Sequence, residues 1–259
     1  MELQGATIVI TGGSRGIGAG LAEAFAKEGS NIVNGDLLSV PAVATAWAQT
    51  AATVTALGVT ATAFDVDVRD PDQCDALVAH ALQQTGRLDV VCANAGVIGL
   101  GPIQGFSPDE FDRIMDINVK GVFLTCKAAI PHFVEQRQGC FVNTASIAGK
   151  RGGPNAAAYC ASKFAVLGFT QSLAMEMTPH QVRANSICPG YLGTSMWLND
   201  ILGRRKEAGE DPSNHPTPTI RPDGSLKSSE MPQEEILAGI ELLGREVIPE
   251  VRHRSTVTN

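Results

Sequence analysis

The stretch YCASK places the phenol of Tyr159 four residues before the ammonium of Lys163. Residues four apart in a helix lie on one face, one turn from each other. A nearby cation favours the phenolate and lowers a tyrosine pKa from its usual value of about 10, at which the side chain is a poor base at neutral pH. The pair is therefore a candidate acid–base and its tuner. Because Tyr-x-x-x-Lys is common by chance, a partly buried tyrosine beside a lysine that reaches solvent is the alternative.

A second candidate is the glycine-rich segment TGGSRGIG, Thr11 to Gly18, which follows an apolar strand and opens a helical pattern. Glycines let the backbone approach a phosphate, and the N–H groups at the helix N-terminus can bind it. Gly12, Gly16 and Gly18 have the spacing G-x-x-x-G-x-G, which differs from the dinucleotide fingerprint G-x-G-x-x-G. The spacing alone therefore also fits a tight strand-to-helix turn with no ligand.

Asp36 ends the second predicted strand, at a distance of about 20 residues where an acid can bind a ribose 2′-hydroxyl. A carboxylate there also repels a 2′-phosphate, so Asp36 favours NAD over NADP. Arg15 is the nearby residue that could favour a phosphate instead, or it is a solvated surface charge. The five histidines lack metal-ligand spacing, so the sequence predicts a site for NAD and no metal.

The first 190 residues alternate short apolar runs with helix-length segments. The predicted strands are ATIVI, NIVNGD, VTATAFDV, RLDVVCANAG, GCFVNTAS and QVRANSICPG. Strands that alternate with helices imply parallel strands joined by right-handed crossovers. The sequence predicts an α/β protein with a single Rossmann-type domain over 1–259, a doubly wound parallel sheet with helices on both faces.

The composition changes near Gly203. Segment 198–235 holds five prolines and few large apolar residues, and it is predicted to be a polar insertion, either a substrate lid or disordered. Helical spacing of apolar residues resumes from Ile236 to Val247 and ends before Pro249. Segment 236–259 is therefore an atypical C-terminal segment.

Charge and cysteine content exclude several classes of protein. The net charge of −7 and the pI of about 5.2 argue against a broad contact with nucleic acid or an anionic membrane. No apolar run approaches the roughly 18 residues of a membrane span, and no signal peptide is evident. Six scattered cysteines without a C-x-x-C pair indicate thiols in a reducing compartment. We therefore expect a cytoplasmic protein with no nucleic-acid or membrane partner.

Taken together, the motifs resemble those of the short-chain dehydrogenase/reductase family. They are TGGSRGIG, the NAG that begins at Asn94, Asn118 in DINVKG, Ser146 thirteen residues before the tyrosine, YCASK, and the PG of Pro189 and Gly190. They follow the family's order and spacing over residues 5 to 197.

The resemblance implies a role for each matching residue. Tyr159 would be the general acid–base, and Lys163 would hold the nicotinamide ribose and lower the tyrosine's pKa. Ser146 would hydrogen-bond the substrate oxygen, and Asn118 would serve a proton relay. The remaining cofactor-binding positions are Gly12, Gly16 and Gly18 at the pyrophosphate with Ser14, Arg15 and Ile17 in the same loop, Asp36 at the adenosine ribose, Asp67 and Val68 at the adenine, Asn94 beside the cofactor, and Pro189, Gly190, Leu192 and Thr194 near the carboxamide.

The resemblance therefore implies an oxidoreductase that transfers a hydride between NAD(H) and a secondary alcohol or ketone. The stretch TSMW weakly resembles relatives acting on polyols and vicinal ketols, and a cyclic alcohol is a further substrate class. Expected pocket walls are Val97, Ile98, Ile147, Tyr191, Met196 and Trp197, with packing at the hinge of the lid as the alternative for the last two. The alternative is a non-catalytic NAD(H)-binding sensor or scaffold. A hydrolase is disfavoured because the sequence has no G-x-S-x-G nucleophile motif.

The family also implies a homodimer or homotetramer. The last sixty residues, however, lack the pattern of the usual seventh strand and glycine-containing tail, so one common dimer interface is in doubt. The other common interface uses the helices that carry Asn118 and Tyr159.

Overall fold

The computed structural model describes residues 2–190 and positions 192, 194 and 196, together with the backbone of two short strands, 219–220 and 226–227. The rest of the predicted lid and the whole C-terminal segment 236–259 lie outside the described residues. The same is true of Tyr191 and Trp197, two of the expected pocket walls.

Six parallel strands form one sheet in the order β3-β2-β1-β4-β5-β6. The strands are β1 (Thr7–Thr11), β2 (Asn31–Asp36), β3 (Ala61–Asp65), β4 (Val90–Ala93), β5 (Gly139–Thr144) and β6 (Val182–Ile187). The chain reverses its direction of progress between β1 and β4, and ligands of such sheets bind at this switch point, beyond the carboxyl ends of the strands. A separate antiparallel pair joins β7 (Thr219–Ile220) to β8 (Leu226–Lys227).

Helices pack on both faces of the sheet. They are α1 (Gly16–Lys27), α2 (Pro41–Thr55), α3 (Pro71–Thr85), α4 (Pro108–Met115), α5 (Gly121–Gln136) and α6 (Ala157–Met177), with a π-helical turn at Asp116–Lys120 before α5. Successive side chains of a strand point to opposite faces. Accordingly, Val9 lies in a core with residues of α3, α5 and α6, whereas Ile8 and Ile10 lie in a second core with α1 and α2. The predicted Rossmann fold is confirmed.

The helices begin in different ways. Asp70 caps α3 by accepting two main-chain N–H groups, and Ser107 caps α4 by accepting the N–H of Glu110. α1 begins after Arg15, which makes no side-chain cap, and its first turn contains no acidic residue. The first N–H groups of a helix have no partner within the helix itself. The start of α1 therefore offers donors to a ligand in a way that α3 and α4 do not.

Within the described part of the chain, no helix combines the length and the apolar character needed to cross a membrane. The six cysteines are all free thiols, and five of them are buried.

Candidate active site

The predicted site residues gather where the central strands end. The glycine segment follows β1, Asn94 follows β4, Ser146 follows β5, and Pro189 follows β6. Because the strands are parallel, these carboxyl ends meet along one edge of the sheet. Residues from four distant parts of the sequence therefore form one crevice.

The glycine segment makes a close turn from β1 into α1. Gly12 and Gly16 have φ values of +67° and +57°, in the left-handed region that glycine tolerates best. A Cβ on Gly18 would collide with the carbonyl oxygen of Gly12, so no side chain fits there. The backbone is thus bare over the uncapped start of α1, which suits the approach of a pyrophosphate.

The other three predicted residues of this segment lie in different environments. Ser14 is buried, and its N–H donates to Oδ2 of Asp36 at 3.2 Å. Arg15 is exposed, and Ile17 is half-buried against the core beneath α1. Only Ser14 is therefore fixed to the strand that carries the predicted ribose ligand.

The carboxylate of Asp36 closes the second strand at the same edge. Besides Ser14, it accepts the main-chain N–H of Leu37 at 3.0 Å through Oδ1. No basic side chain in the described part of the chain forms an ion pair with it. A carboxylate in this position has further lone pairs for a ribose diol and opposes a 2′-phosphate.

Asp67 and Val68 follow β3, at the predicted adenine end. The carboxylate of Asp67 accepts hydrogen bonds from Arg69, from Nε at 2.9 Å and Nη2 at 2.5 Å. The Arg69 guanidinium holds the pKa of Asp67 below its usual range. Val68 is buried, and its side chain packs where Gly121 begins α5. Sequence reasoning missed Arg69, although the run DVRD places it two residues from Asp67.

Tyr159 and Lys163 lie one turn apart on α6, as predicted. The Lys163 Nζ is 5.8 Å from the centre of the Tyr159 ring and donates to the carbonyl oxygen of Thr144 at 2.8 Å. Lys163 is buried, and burial lowers its pKa to about 8. A buried ammonium one turn from a phenol is an uncommon arrangement, because burial disfavours the charged form.

The protonation of Tyr159 differs from the expectation. Burial raises the pKa of Tyr159, and a hydrogen bond with Ser146 opposes that rise without cancelling it. In the protein alone, burial therefore outweighs the expected lowering by Lys163. A pattern of residue types shows that a lysine is near but does not show how deeply the phenol is buried.

Asn118 lies in the π-helical turn and is fully buried. Its Oδ1 accepts the N–H of Val97 at 2.8 Å, and its Nδ2 donates to the carbonyl of Val97 at 2.9 Å and to Oγ of Ser162 at 3.0 Å. Ser162 in turn donates to the carbonyl of Tyr159 at 2.7 Å. Ser162, which sequence reasoning missed within YCASK, thus connects Asn118 to the helix that carries Tyr159.

Asn94 joins the glycine segment to the neighbourhood of the lysine. Its Nδ2 donates to the carbonyls of Thr11 and Gly12 at 3.0 and 3.1 Å, and its Oδ1 accepts from the hydroxyl of Thr144 at 3.1 Å. The carbonyl of Thr144 is also the acceptor for Lys163. One continuous set of hydrogen bonds therefore runs from the glycine segment to Lys163 through Thr144, a residue absent from the prediction.

Ser146 and the segment after β6 form the far wall. The Ser146 Oγ accepts the N–H of Ala148 at 3.1 Å and lies 3.5 Å from the carbonyl of Pro189. Beyond Gly190, the N–H of Thr194 donates to the carbonyl of Leu192 at 2.7 Å. A Cβ on Gly16 would lie 3.4 Å from Cγ2 of Thr194, so this segment faces the glycine loop across the crevice.

The lining of the crevice determines its chemistry. The expected walls within the described residues are half-buried apolar side chains, namely Val97, Ile98, Ile147 and Met196. In the same part of the chain, no group of three or more His, Cys, Asp or Glu side chains is placed to hold a metal ion. The crevice brings the phenol of Tyr159, the hydroxyl of Ser146 and the ammonium of Lys163 close to the glycine segment. These groups are suited to proton transfer to or from a substrate oxygen next to a dinucleotide.

Comparison with known proteins adds independent information. The family model described as short chain dehydrogenase matches residues 6–202. The galactitol 2-dehydrogenase of Agrobacterium fabrum is 36% identical over 198 residues, which are 76% of this chain and 74% of that protein. The 3-alpha-(or 20-beta)-hydroxysteroid dehydrogenase of Mycobacterium bovis is 37% identical over 216 residues, 81% of this chain and 80% of the relative.

Solved structures are also similar. The crystal structure of carveol dehydrogenase from Mycobacterium avium in complex with NAD superposes with a TM-score of 0.83 at 28% identity. The match covers 95% of this chain and 93% of that one.

Proposed function

This chain belongs to the short-chain dehydrogenase/reductase family of oxidoreductases, and from that premise we propose that it is an NAD-dependent dehydrogenase that interconverts a secondary alcohol and a ketone. The observation that carries the proposal is the meeting of Tyr159, Ser146 and Lys163 at the edge where the glycine loop opens. Proton transfer and dinucleotide binding are the two requirements of this reaction, and both sets of groups line one crevice.

The cofactor would lie along the carboxyl ends of β1, β2 and β4. Gly12, Gly16 and Gly18 would line its pyrophosphate, and Asp36 would accept from its adenosine ribose. When bound, NAD(H) supplies the acceptor or donor of the hydride. Three observations support NAD: the bare glycine backbone, the uncapped start of α1, and the Asp36 carboxylate, which forms no ion pair with a basic side chain of the described residues. The similar carveol dehydrogenase is in complex with NAD.

Tyr159 would move the proton. In reduction its hydroxyl donates to the carbonyl oxygen of the substrate, and in oxidation the phenolate takes the proton of the alcohol, with Ser146 bonded to the same oxygen. Burial raises the pKa of Tyr159, so the phenol is the resting form at neutral pH. Reduction needs no prior ionisation, whereas oxidation does. We expect the rate of oxidation to rise with pH in the alkaline range and the rate of reduction to stay level near neutrality.

The substrate class follows from the crevice and its relatives. We propose a polyol, a vicinal diol or ketol, or a cyclic alcohol. The described walls are apolar, and the groups that handle the proton lie at one end. The similar proteins are named for galactitol, a hydroxysteroid and carveol, three alcohols with very different carbon skeletons.

We also propose a cytoplasmic homodimer or homotetramer formed through α5 and α6. Phe123, Phe164 and Met175 are 45%, 47% and 78% exposed, which is unusual for large apolar side chains. Phe164 and Met175 lie on one stripe of α6, and clustered exposed apolar side chains mark interfaces. Light scattering on the purified protein and on the Phe164→Asp variant tests this proposal. The variant should have a smaller molar mass in solution than the unaltered protein.

The test of the catalytic proposal follows the absorbance of the reduced nicotinamide with NAD, then NADP, and a panel of cyclic alcohols, steroids, vicinal diols and sugar alcohols. Tyr159→Phe runs alongside, with ADP-ribose binding measured by calorimetry. We expect turnover with NAD that falls by orders of magnitude in the variant, while ADP-ribose binds equally well. Binding without any turnover in the unaltered protein would favour the sensor or scaffold instead.

A further inference from the structure

We propose that Asn34 is a positioning residue for the pyrophosphate loop, holding Gly13 and Ser14 in the shape that receives the cofactor. This inference rests on the proposed NAD-dependent function. It adds a residue that would act through the loop, by its bonds to Gly13 and Ser14. It also gives a role to Gly13, the second glycine of TGGSRGIG, which the dinucleotide motif leaves unassigned.

Asn34 is an amide where an apolar residue is expected. It lies within β2, fully buried, between the buried residues Val33 and Gly35. A buried amide is costly unless its groups are hydrogen-bonded. Its Oδ1 accepts the N–H of Gly13 at 2.8 Å, and its Nδ2 donates to the Ser14 hydroxyl at 3.0 Å. Both partners belong to the loop, so the amide is directed at the loop alone.

The contact at Gly13 is too close for any side chain. A Cβ on Gly13 would lie 2.6 Å from Oδ1 of Asn34 and 3.2 Å from its Cγ. The loop backbone therefore rests directly on the amide. Gly13 and Asn34 are complementary: one supplies a bare N–H at the closest approach, and the other supplies the acceptor for it.

Three consecutive loop residues are attached to β2. The N–H of Gly12 donates to the carbonyl of Gly35 at 2.8 Å, Gly13 and Ser14 bond the Asn34 amide, and the N–H of Ser14 also donates to Asp36. The loop and the ribose-binding carboxylate are thus held in one arrangement. Loosening the amide should disturb the pyrophosphate site more than the adenosine site.

The experiment compares Asn34→Leu with the unaltered protein by calorimetry with ADP-ribose and with adenosine. We expect the Kd for ADP-ribose to rise about tenfold, since two buried hydrogen bonds are lost. The Kd for adenosine should change by less than about twofold, because Asp36 is retained. In turnover, KM for NAD should rise while kcat at saturating NAD is kept.

Asn143→Leu is the matched control. Asn143 is also a fully buried strand amide, bonded by Cys126 at 3.3 Å and to Thr170 at 3.0 Å, but its partners are outside the loop. It should lose a similar amount of thermal stability and keep its ADP-ribose affinity. Equal weakening in the two variants, or none in Asn34→Leu, would overturn the positioning role.

A second variant guards against a folding failure of Asn34→Leu. Gly13→Ala leaves the strand intact and pushes the loop away from the Asn34 amide, so it should weaken ADP-ribose about tenfold as well. A Gly13→Ala protein with unchanged affinity would contradict the inference. Failure of the unaltered protein to bind ADP-ribose would instead overturn the proposed cofactor.

Discussion

The cofactor end and the catalytic end of the crevice are built from different kinds of polar group. At the cofactor end the buried amide of Asn34 and the half-buried amide of Asn94 are neutral, and each is hydrogen-bonded through both its oxygen and its nitrogen. At the catalytic end burial raises the pKa of Tyr159 and lowers that of Lys163 to about 8. The amides bring no charge into the protein, whereas the groups proposed to transfer protons are held where their charged forms are disfavoured. Substitutions should accordingly alter affinity at one end, and turnover together with stability at the other.

The largest expected effect is at the catalytic end. Lys163→Met removes the ammonium that would favour the Tyr159 phenolate and hold the nicotinamide ribose. We expect kcat for alcohol oxidation to fall by about 10²- to 10⁴-fold, measured from the absorbance of the reduced nicotinamide. The Lys127→Met variant is the control, since Lys127 lies over the Phe123 ring on α5, away from the crevice. A Lys163→Met enzyme of near-normal kcat would remove the distinction between the two ends.

At the cofactor end, the expected change is in selectivity. Asp36→Ala removes the acceptor for the ribose diol and the charge that opposes a 2′-phosphate. The ratio of kcat/KM for NAD to that for NADP should fall by about a hundredfold. Asp65→Ala is the matched control, because Asp65 is the register partner of Asp36 on β3 and its carboxylate accepts the N–H of Ser39. An unchanged ratio in Asp36→Ala would move the origin of selectivity elsewhere.

The buried Lys163 should also lower the stability of the folded protein. Its pKa of about 8 when folded lies below the ordinary 10.5, so the unfolded chain binds the proton more tightly. Stability of the unaltered protein should therefore rise with pH between about 8 and 10.5 as this difference is lost. At pH 7 the pKa shift lowers the free energy of unfolding by about 3 kcal/mol. Replacing Lys163 would remove this cost but would also remove its hydrogen bond to the Thr144 carbonyl, which is worth about 1 kcal/mol.

Lys163→Met should thus be more stable than the unaltered protein by about 2 kcal/mol at pH 7. Urea unfolding at pH 7 and at pH 10 measures this. The difference should shrink at the higher pH, where the unaltered lysine is largely neutral in the folded state. A variant that is less stable at pH 7, or a difference that grows with pH, would show that the buried lysine carries no electrostatic cost.

The sequence predicted local features better than contacts between distant segments. The strands and the Asp36 position follow from apolar runs and spacing along the chain, and the structure has them where they were predicted. Asn34, Thr144 and Ser162 were missed because their partners lie 21, 50 and 44 residues away. The periodicity of apolar residues indicates which face of a strand or helix a residue occupies, but it does not indicate which distant loop contacts that residue. The rise in the pKa of Tyr159 was missed for a related reason, since burial depends on the whole fold.

The smallest expected effect concerns Arg69 at the adenine end. Its guanidinium holds both oxygens of the Asp67 carboxylate, but it is 49% exposed, and an exposed ion pair is worth less than about 1 kcal/mol. The carboxylate would accept from the amino group of adenine and repel the oxygen that replaces it in nicotinamide hypoxanthine dinucleotide. We expect Arg69→Ala to reduce the preference for NAD over this analogue by about threefold in kcat/KM.

Arg87→Ala is the control for Arg69→Ala. Arg87 pairs with Asp89 at 2.7 Å, also two residues away and also 49% exposed, but before β4 at the opposite edge of the sheet. Its loss should leave the preference unchanged. If Arg69→Ala increases the preference for NAD, the guanidinium competes with adenine for the carboxylate rather than orienting it. The exposed charge of Arg69 would then limit affinity at the cofactor end, and only the amides there would bind without an electrostatic cost.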